Sequence, residues 1–311
     1  MRSYYIFGLT DCGQYRDRNE DGILINHEVL SEGSYSSRAQ QPFITAVCDG
    51  VGGENAGEIA SDQCLRQLSL ISYSSMTDIE REINIIHNKI KQRGVRLENA
   101  MNMQTTLCSL FIDEDGNALC VNIGDSRMYR YTDGEIRQIS TDQSLAQYLY
   151  DDGSIDEFDE LTPQMRATII SSVGSVHQAP KPQYVPLVTR IGDANKVDII
   201  ILCSDGVSDY VSIDEMQIIL SMDTLFDDKI KMIHRLAQRN GSTDNMSVIG
   251  LISEDQLSEH DMAIAKRHER EKELALIMRE ARRRKNADLE ELSSSSIEML
   301  RKKFQKNSDE N

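Results

Sequence analysis

The sequence predicts an α+β fold, and two observations carry that prediction. Short β-rich apolar runs follow one another in two hairpin-like groups, and segments of helical period stand between them in pairs. That order favours α+β over a parallel doubly wound sheet, in which strands and helices would alternate singly.

Taken in order, Tyr5-Ile6-Phe7-Gly8-Leu9-Thr10 reads as a strand, the charged stretch Arg16-Asp17-Arg18-Asn19-Glu20-Asp21 as a turn, and Gly22 to Ile25 as a second strand. Phe43 to Cys48 is a core strand that runs into Asp49-Gly50. After Gly53 a helix is predicted, with Ile59, Cys64, Leu65, Leu68 and Ile71 on one face. A second helix is predicted to start at Thr77, where Thr77 and Glu80 match a capping box, and to continue through Ile79, Ile83, Ile86 and Ile90. Strands resume over Thr106 to Asp113 and Ala118 to Tyr131, joined by the turn Asp113-Glu114-Asp115-Gly116-Asn117. Residues 142–196 read as irregular and hold four of the five prolines. They are too many for a passive connector and predict a lid or substrate-facing flap. Ile199 to Ser204 is a strand ending in Asp205-Gly206, Ser212 and Glu215 form a capping box, a helix follows near Asp228 to Gln238, and Met246 to Ile252 closes the sheet.

With 311 residues and 39% apolar content the chain can build one large domain or two small ones. The last 57 residues carry 13 basic and 13 acidic side chains, so the net charge of -17 belongs to residues 1–254. Such an acidic body argues against nucleic acid as a partner, because phosphate backbones are held by Lys and Arg. No run approaches the roughly 18 apolar residues of a membrane span. The six cysteines show no CxxC spacing and read as buried thiols of a reducing compartment, so the expected location is cytoplasmic. Two regions are predicted: 1–254, and a charged, mainly helical extension, 255–311, without Gly or Pro. Met262, Ile264, Leu274, Ile277, Met278 and Ala281 give the extension a patchy apolar face, closed by Arg282-Arg283-Arg284-Lys285. A solvated helix, a partner-binding or dimerising helix, and an acidic-lipid or nucleic-acid patch all fit that pattern.

Four carboxylates stand at strand rims: Asp49, Asp125 in Gly124-Asp125-Ser126-Arg127, Asp205, and Asp244 in Thr243-Asp244-Asn245. With no His or Cys cluster beside them, they point to a hard cation held by oxygen, Mg²⁺ or Mn²⁺. Two such ions about 3.5–4 Å apart can share a water that attacks phosphorus in line. Arg16, on the same loop as Glu20 and Asp21, can fork onto phosphate oxygens, although a surface pair with Asp17 or Asp21 explains it equally. Among the scattered histidines, His87 and His234 fall in helical patterns and read as surface or core-edge residues, while His177 is the candidate substrate contact.

Six ordered blocks make the set specific: Arg16 with Glu20-Asp21, Asp49-Gly50-Val51-Gly52-Gly53 followed by Gly57-Glu58-Ile59-Ala60-Ser61, Thr105-Thr106, Gly124-Asp125-Ser126-Arg127, Ser204-Asp205-Gly206 with Asp209, and Asp244-Asn245. Over residues 4–254 the chain resembles the metal-dependent protein phosphatase family, type 2C (the PPM family), and especially its bacterial members. The resemblance implies two packed antiparallel β-sheets flanked by helices, an αββα sandwich. It implies hydrolysis of phosphoserine and phosphothreonine in proteins by a metal-bridged hydroxide, in a site for two Mn²⁺ or Mg²⁺ ions and a third, weaker one. Asp49 matches the bridging ligand, the Gly50 carbonyl and water held by Glu20 match the rest of one ion's shell, and Asp205 and Asp244 match the other's. Asp125 with Asp205, and Asp209, match the third ion's ligands; Asp21 matches the residue supporting the acidic loop, and Arg16 the phosphate-binding arginine. The implied substrates are phosphoproteins made by a serine/threonine kinase, with 255–311 free to bind a protein partner or a second copy. The rival expectation is a non-catalytic scaffold that keeps the fold and works through that tail. Two positions depart from the broader family: Val51 stands where animal members carry a proton-donating His, and Gln143 where members often have His.

Overall fold

The computed structural model describes residues 2–51, 56–97, 100–157, 161–192 and 197–268. Its strands are β1 (Ser3–Asp11), β2 (Asp21–Ile25), β3 (Glu28–Leu30), β4 (Gly33–Gln40), β5 (Phe43–Val51), β6 (Gln104–Thr105), β7 (Leu107–Ile112), β8 (Ala118–Ile123), β9 (Arg127–Thr132), β10 (Glu135–Gln138), β11 (Gln183–Pro186), β12 (Asp198–Cys203) and β13 (Met246–Ser253). Helices α1 (Gly57–Leu68) and α2 (Ile79–Arg96) follow β5, α3 (Leu145–Asp151) and α4 (Pro163–Arg166) precede β11, and α5 (Asp205–Ser208), α6 (Ile213–Ser221) and α7 (Phe226–Arg239) lie between β12 and β13. One sheet runs β10-β9-β12-β13-β1-β4 and the other β11-β8-β7-β5-β2-β3, with β6 on β5. Every pairing is antiparallel.

Strand alternation divides the core. Tyr4 and Ile6 of β1 turn inward and join Ile23, Val47, Leu110, Ile200 and Leu251 from both sheets in one apolar layer. Tyr5 and Phe7 turn outward, where Tyr5 meets the Phe226 ring edge-on at 6.0 Å and the Lys231 ammonium sits 5.1 Å over Phe7. On the far side of the other sheet, Ala60, Cys64, Leu65 and Leu68 of α1 and Ile83, Ile86 and Ile90 of α2 cover Ala46, Cys48, Phe111 and Val121. Strands β5, β12 and β13 are thus covered on both faces, which is why they read as unbroken apolar runs.

Several expectations change. The run predicted from Ala118 to Tyr131 is two strands in different sheets, because Gly124 at φ +100 turns the chain and packs against Thr106, where a Cβ would stand 2.7 Å from Cγ2. Gln143 clamps that turn: its backbone N–H donates to Gly124 O at 2.9 Å and its side-chain oxygen accepts from Gly124 N at 3.1 Å. The cap of α2 is Asp78, which accepts from Arg81 N, while the Thr77 hydroxyl accepts from Ser74 N. The Ser212–Glu215 capping box forms as expected. Residues 142–196 contain α3, α4 and β11, which pairs with β8, so the segment is partly ordered structure rather than irregular chain. Strand β4 escaped prediction because Gly33-Ser34-Tyr35-Ser36-Ser37-Arg38-Ala39-Gln40 lies at a sheet edge and lacks an apolar face. Of the two alternatives for His87 and His234, the surface one is overturned: both are buried, at 5% exposure each. Among the cysteines, all free, five are buried and Cys12 is half-buried.

The chain divides into two compact units, Met1–Met262 and Ala263–Asn311. Residues 259–268 are helical; the basic cluster at 282–285 and the apolar positions Leu274, Ile277, Met278 and Ala281 lie outside the described residues. No described helix is long and apolar enough to cross a membrane.

Beyond Ser253, Gln256 accepts the Asp198 N–H at 2.9 Å, Asp261 accepts that of Phe226 at 2.8 Å, and Leu257 is buried. At about 1 kcal/mol for each of the two hydrogen bonds, and about 2–4 °C per kcal/mol for a unit of this size, a chain ending at Glu254 is expected to melt at least about 4–8 °C below one ending at Met262. Equal melting temperatures by differential scanning calorimetry would contradict that boundary.

Candidate active site

The ends of β5, β8, β12 and β13 bring their acids to one cleft of about 730 Å³. It is lined by six of the predicted side chains, Arg16, Glu20, Asp49, Asp125, Asp205 and Asp244, together with Gly50. Asp21 is buried behind it, paired in register with Asp49. Asp209 is not among the lining residues; it lies 3.2 Å from Arg127 Nη2.

Backbone and hydroxyl contacts hold this rim. Asp49 N donates to Thr106 Oγ1 at 2.9 Å, while the Asp49 carbonyl accepts from Thr106 N and Thr105 Oγ1. Ser204 Oγ donates to Asp21 Oδ2 at 2.7 Å and accepts from Ser247 N. Glu20 is held from two sides: its N–H donates to Asn245 Oδ1 at 2.9 Å, and its carbonyl accepts from Ser61 Oγ of α1 at 2.6 Å. That approach requires Gly57, where a Cβ would stand 2.6 Å from the Gly50 oxygen and 2.9 Å from Glu20 Cδ. Arg127 forks onto Asp142 at 2.7 and 2.9 Å and donates to Ser208 O, tying the base of the 142–196 segment to α5.

The acids crowd one another. Burial, then the charges of Asp21, Asp205, Asp125 and Asp244, push Asp49 well above the usual carboxylate range. Burial and then Asp205 and Asp142 do the same to Asp125. Asp205 is pushed up to about 6 by burial, Asp244 and Asp209, and Asp21 to about 7 by burial, against the pull of its Ser204 and Ser247 hydrogen bonds. Burial and the Glu58 charge raise Glu20. Against this stands Arg16, whose Nη2 lies 2.7 Å from Asp244 Oδ2 rather than on Asp17 or Asp21.

The donor set fits a hard divalent ion. Its side chains offer only oxygen, and Asp205 Oδ1 is buried without a hydrogen-bond partner. Among the described residues no three acids close on one point at ligand spacing, so the rim is open rather than a finished cage. Mg²⁺ tolerates that arrangement because it keeps several waters of its own.

Sequence reasoning missed Ala167 and Ile169, which bring the 142–196 segment to the cleft wall beside Val51; its length was the available signal. His177 is exposed and is not among the lining residues. Gln143 serves the Gly124 turn and donates to Lys181 O at 2.7 Å.

Oxygen donors gathered from two antiparallel sheets into one acidic cleft define a class of sheet-sandwich protein built to hold hard cations. A profile described as protein phosphatase 2C matches residues 32–248. The protein phosphatase PhpP of Streptococcus pneumoniae is 30% identical over 248 residues, covering 77% of this chain and 94% of its own. A serine/threonine phosphatase of S. agalactiae shares the fold at a TM-score of 0.67 and 23% identity, over 81% of this chain and all of that one. The catalytic domain of the phosphatase PstP, solved with two manganese ions, is similar at a TM-score of 0.62 and 26% identity, over 81% of this chain and 99% of that one. The chain belongs to the protein phosphatase 2C family and is an enzyme of its kind, a metal-dependent protein-serine/threonine phosphatase.

With Asp205 near 6 and Asp21 near 7 in the folded state, against about 3.9 unfolded, the native protein binds more protons than the unfolded chain across that interval. Stability of metal-free protein therefore falls as pH rises from about 4 through 7. Melts in EDTA are expected to show a lower Tm at pH 8 than at pH 5, and Mn²⁺ to raise Tm more at pH 8. A flat EDTA series would contradict the crowding.

Proposed function

We propose that the chain hydrolyses phosphoserine and phosphothreonine in proteins at a binuclear Mn²⁺ or Mg²⁺ site in this cleft. The observation that carries the reading is the set of buried acids Asp49, Asp125 and Asp205, each raised by burial and by neighbouring carboxylates, with Asp205 Oδ1 buried and without a hydrogen-bond partner. Two divalent ions there would supply an activated water for in-line attack on phosphorus and positive charge for its oxygens. Asp49 would be shared by the two ions, the Gly50 carbonyl and Glu20 would hold one of them with it, and Asp205 and Asp244 the other. Asp125 and Asp205 would offer a weaker third site, while Asp209 stands against Arg127 and outside the cleft lining. Asp21, fixed by Ser204, supports the loop that carries Glu20.

Arg16 is half-exposed at the cleft and close enough to exchange Asp244 for an incoming phosphate. Val51, Ala167 and Ile169 line the cleft without titratable groups, so Val51 cannot protonate the leaving group. The substrates are phosphoproteins made by a serine/threonine kinase; the phosphatase names of the relatives support this. Free cysteines support a reducing, cytoplasmic location.

Turnover of p-nitrophenyl phosphate and of a phosphothreonine peptide is expected with Mn²⁺, none with EDTA, and at least about 100-fold less in Asp205→Ala, the range seen when an electrostatic stabiliser is lost. Metal-independent turnover, or an Asp205→Ala enzyme as fast as wild type, would sink the metal mechanism. Well-folded protein inactive with every divalent ion would favour the scaffold. Arg16→Ala is expected to raise KM for the phosphopeptide about tenfold, the worth of one charged hydrogen bond. An unchanged KM removes the clamp role.

A further inference from the structure

His234 is buried on α7, and its Nε2 lies 2.9 Å from Asp11 Oδ2 at the end of β1. The two groups touch, although the contact falls outside the geometry of an aligned hydrogen bond. The other oxygen, Asp11 Oδ1, accepts from Gly13 N at 2.8 Å. Gly13 adopts φ +70 and lies flush against the loop that leads into β13: a Cβ there would stand 2.5 Å from the Asp244 carbonyl oxygen. The same turn is tied to Asn245, whose Nδ2 donates to Cys12 O at 3.2 Å and to Arg18 O at 2.9 Å. Asn245 Oδ1 in turn accepts the Glu20 N–H.

A continuous path thus leads from α7 to two acids of the cleft. An Asp-x-Gly turn closes through one carboxylate oxygen alone. Forming the turn therefore gives no reason for a buried imidazole, brought from a separate helix, to face the second oxygen. What the imidazole adds is a fixed position for the Asp11 carboxylate, and with it for the turn on which Asp244 rests. Burial acts to raise Asp11, yet His234 and the Gly13 N–H hold it below the usual carboxylate range.

We propose that His234 and Asp11 form a positioning pair for the ion-binding loop: His234 fixes Asp11, Asp11 fixes the Cys12–Gly13 turn, and the turn sets the height of Asp244 and, through Asn245, of Glu20. The inference rests on Asp244 being an ion ligand, as read above. Groups directly behind metal ligands change affinity 10- to 100-fold when removed. The pair stands one contact further out, so a smaller effect follows.

The test is calorimetric titration of Mn²⁺ into the full-length protein, with melts in EDTA and p-nitrophenyl phosphate kinetics at saturating Mn²⁺. His234→Leu and Asp11→Asn are each expected to weaken Mn²⁺ binding about 3- to 10-fold, and the double variant no more than the worse single one. His234→Gln, which keeps a polar group near the Nε2 position, is expected to recover most of the affinity, and KM for p-nitrophenyl phosphate to stay unchanged throughout. Wild-type Mn²⁺ affinity in His234→Leu, effects that multiply in the double variant, or a loss of Tm with no loss of affinity would each overturn the proposal. Should His234→Leu fail to fold, Asp11→Asn and His234→Gln carry the comparison. Wild-type protein that binds Mn²⁺ but turns over no phosphoester defeats the phosphatase reading and leaves this titration decisive; wild type that binds no Mn²⁺ defeats both.

Discussion

Repulsion among carboxylates at the rims of two sheets is the constraint on which the rest of this structure depends. Asp49, Asp125 and Asp205 are buried among neighbouring carboxylates that raise their proton affinity, and a side chain so placed costs folding energy unless a proton or a cation compensates. Arg16 offsets Asp244, which it meets at 2.7 Å, and part of the charge on Glu20. The fold therefore carries a standing demand for positive charge at one place, which divalent ions and a well-placed guanidinium meet.

That demand explains why the surroundings of the cleft are so closely tied. Hydroxyls of Thr105, Thr106, Ser126 and Ser204 bind the strand ends to one another. Asn245 spans the first and last strands of the chain through Cys12, Arg18 and Glu20. Each contact is a modest hydrogen bond by itself. Together they keep oxygens that repel one another from relaxing outward, and so keep the site preorganised for a cation. The apolar layer between the sheets supplies the rigid base, since strands packed on both faces cannot shift singly.

Elements with strong local signals were legible: the core strands β5, β12 and β13, the helices α1, α2 and α7 to within a few residues, and the Ser212 cap. Strand β4 was not, because an edge strand needs only one neighbour and can be polar on both faces. Gly124-Asp125 was legible as a strand rim, but nothing local showed that Ala118–Ile123 and Arg127–Thr132 belong to different sheets. Of the candidate site, the acids that line the cleft were legible by their place at strand ends. Ala167 and Ile169 carry no local sign of their position, and the burial of His234 against Asp11 joins residues far apart in sequence.

By itself, the sequence determined the class of chemistry: hard oxygen donors at strand rims, no soft ligand, and an arginine beside them, in an order resembling one family. Residue type and local period are short-range properties, and they survive being read without coordinates. The tertiary structure decided which acids share one cleft, that Arg16 faces Asp244, that Asp209 turns to Arg127 instead, and that a helix histidine reaches the first strand. Those outcomes depend on how two sheets stack and which loops they bring together. Such distances are set by packing across the whole core, and no local pattern encodes them.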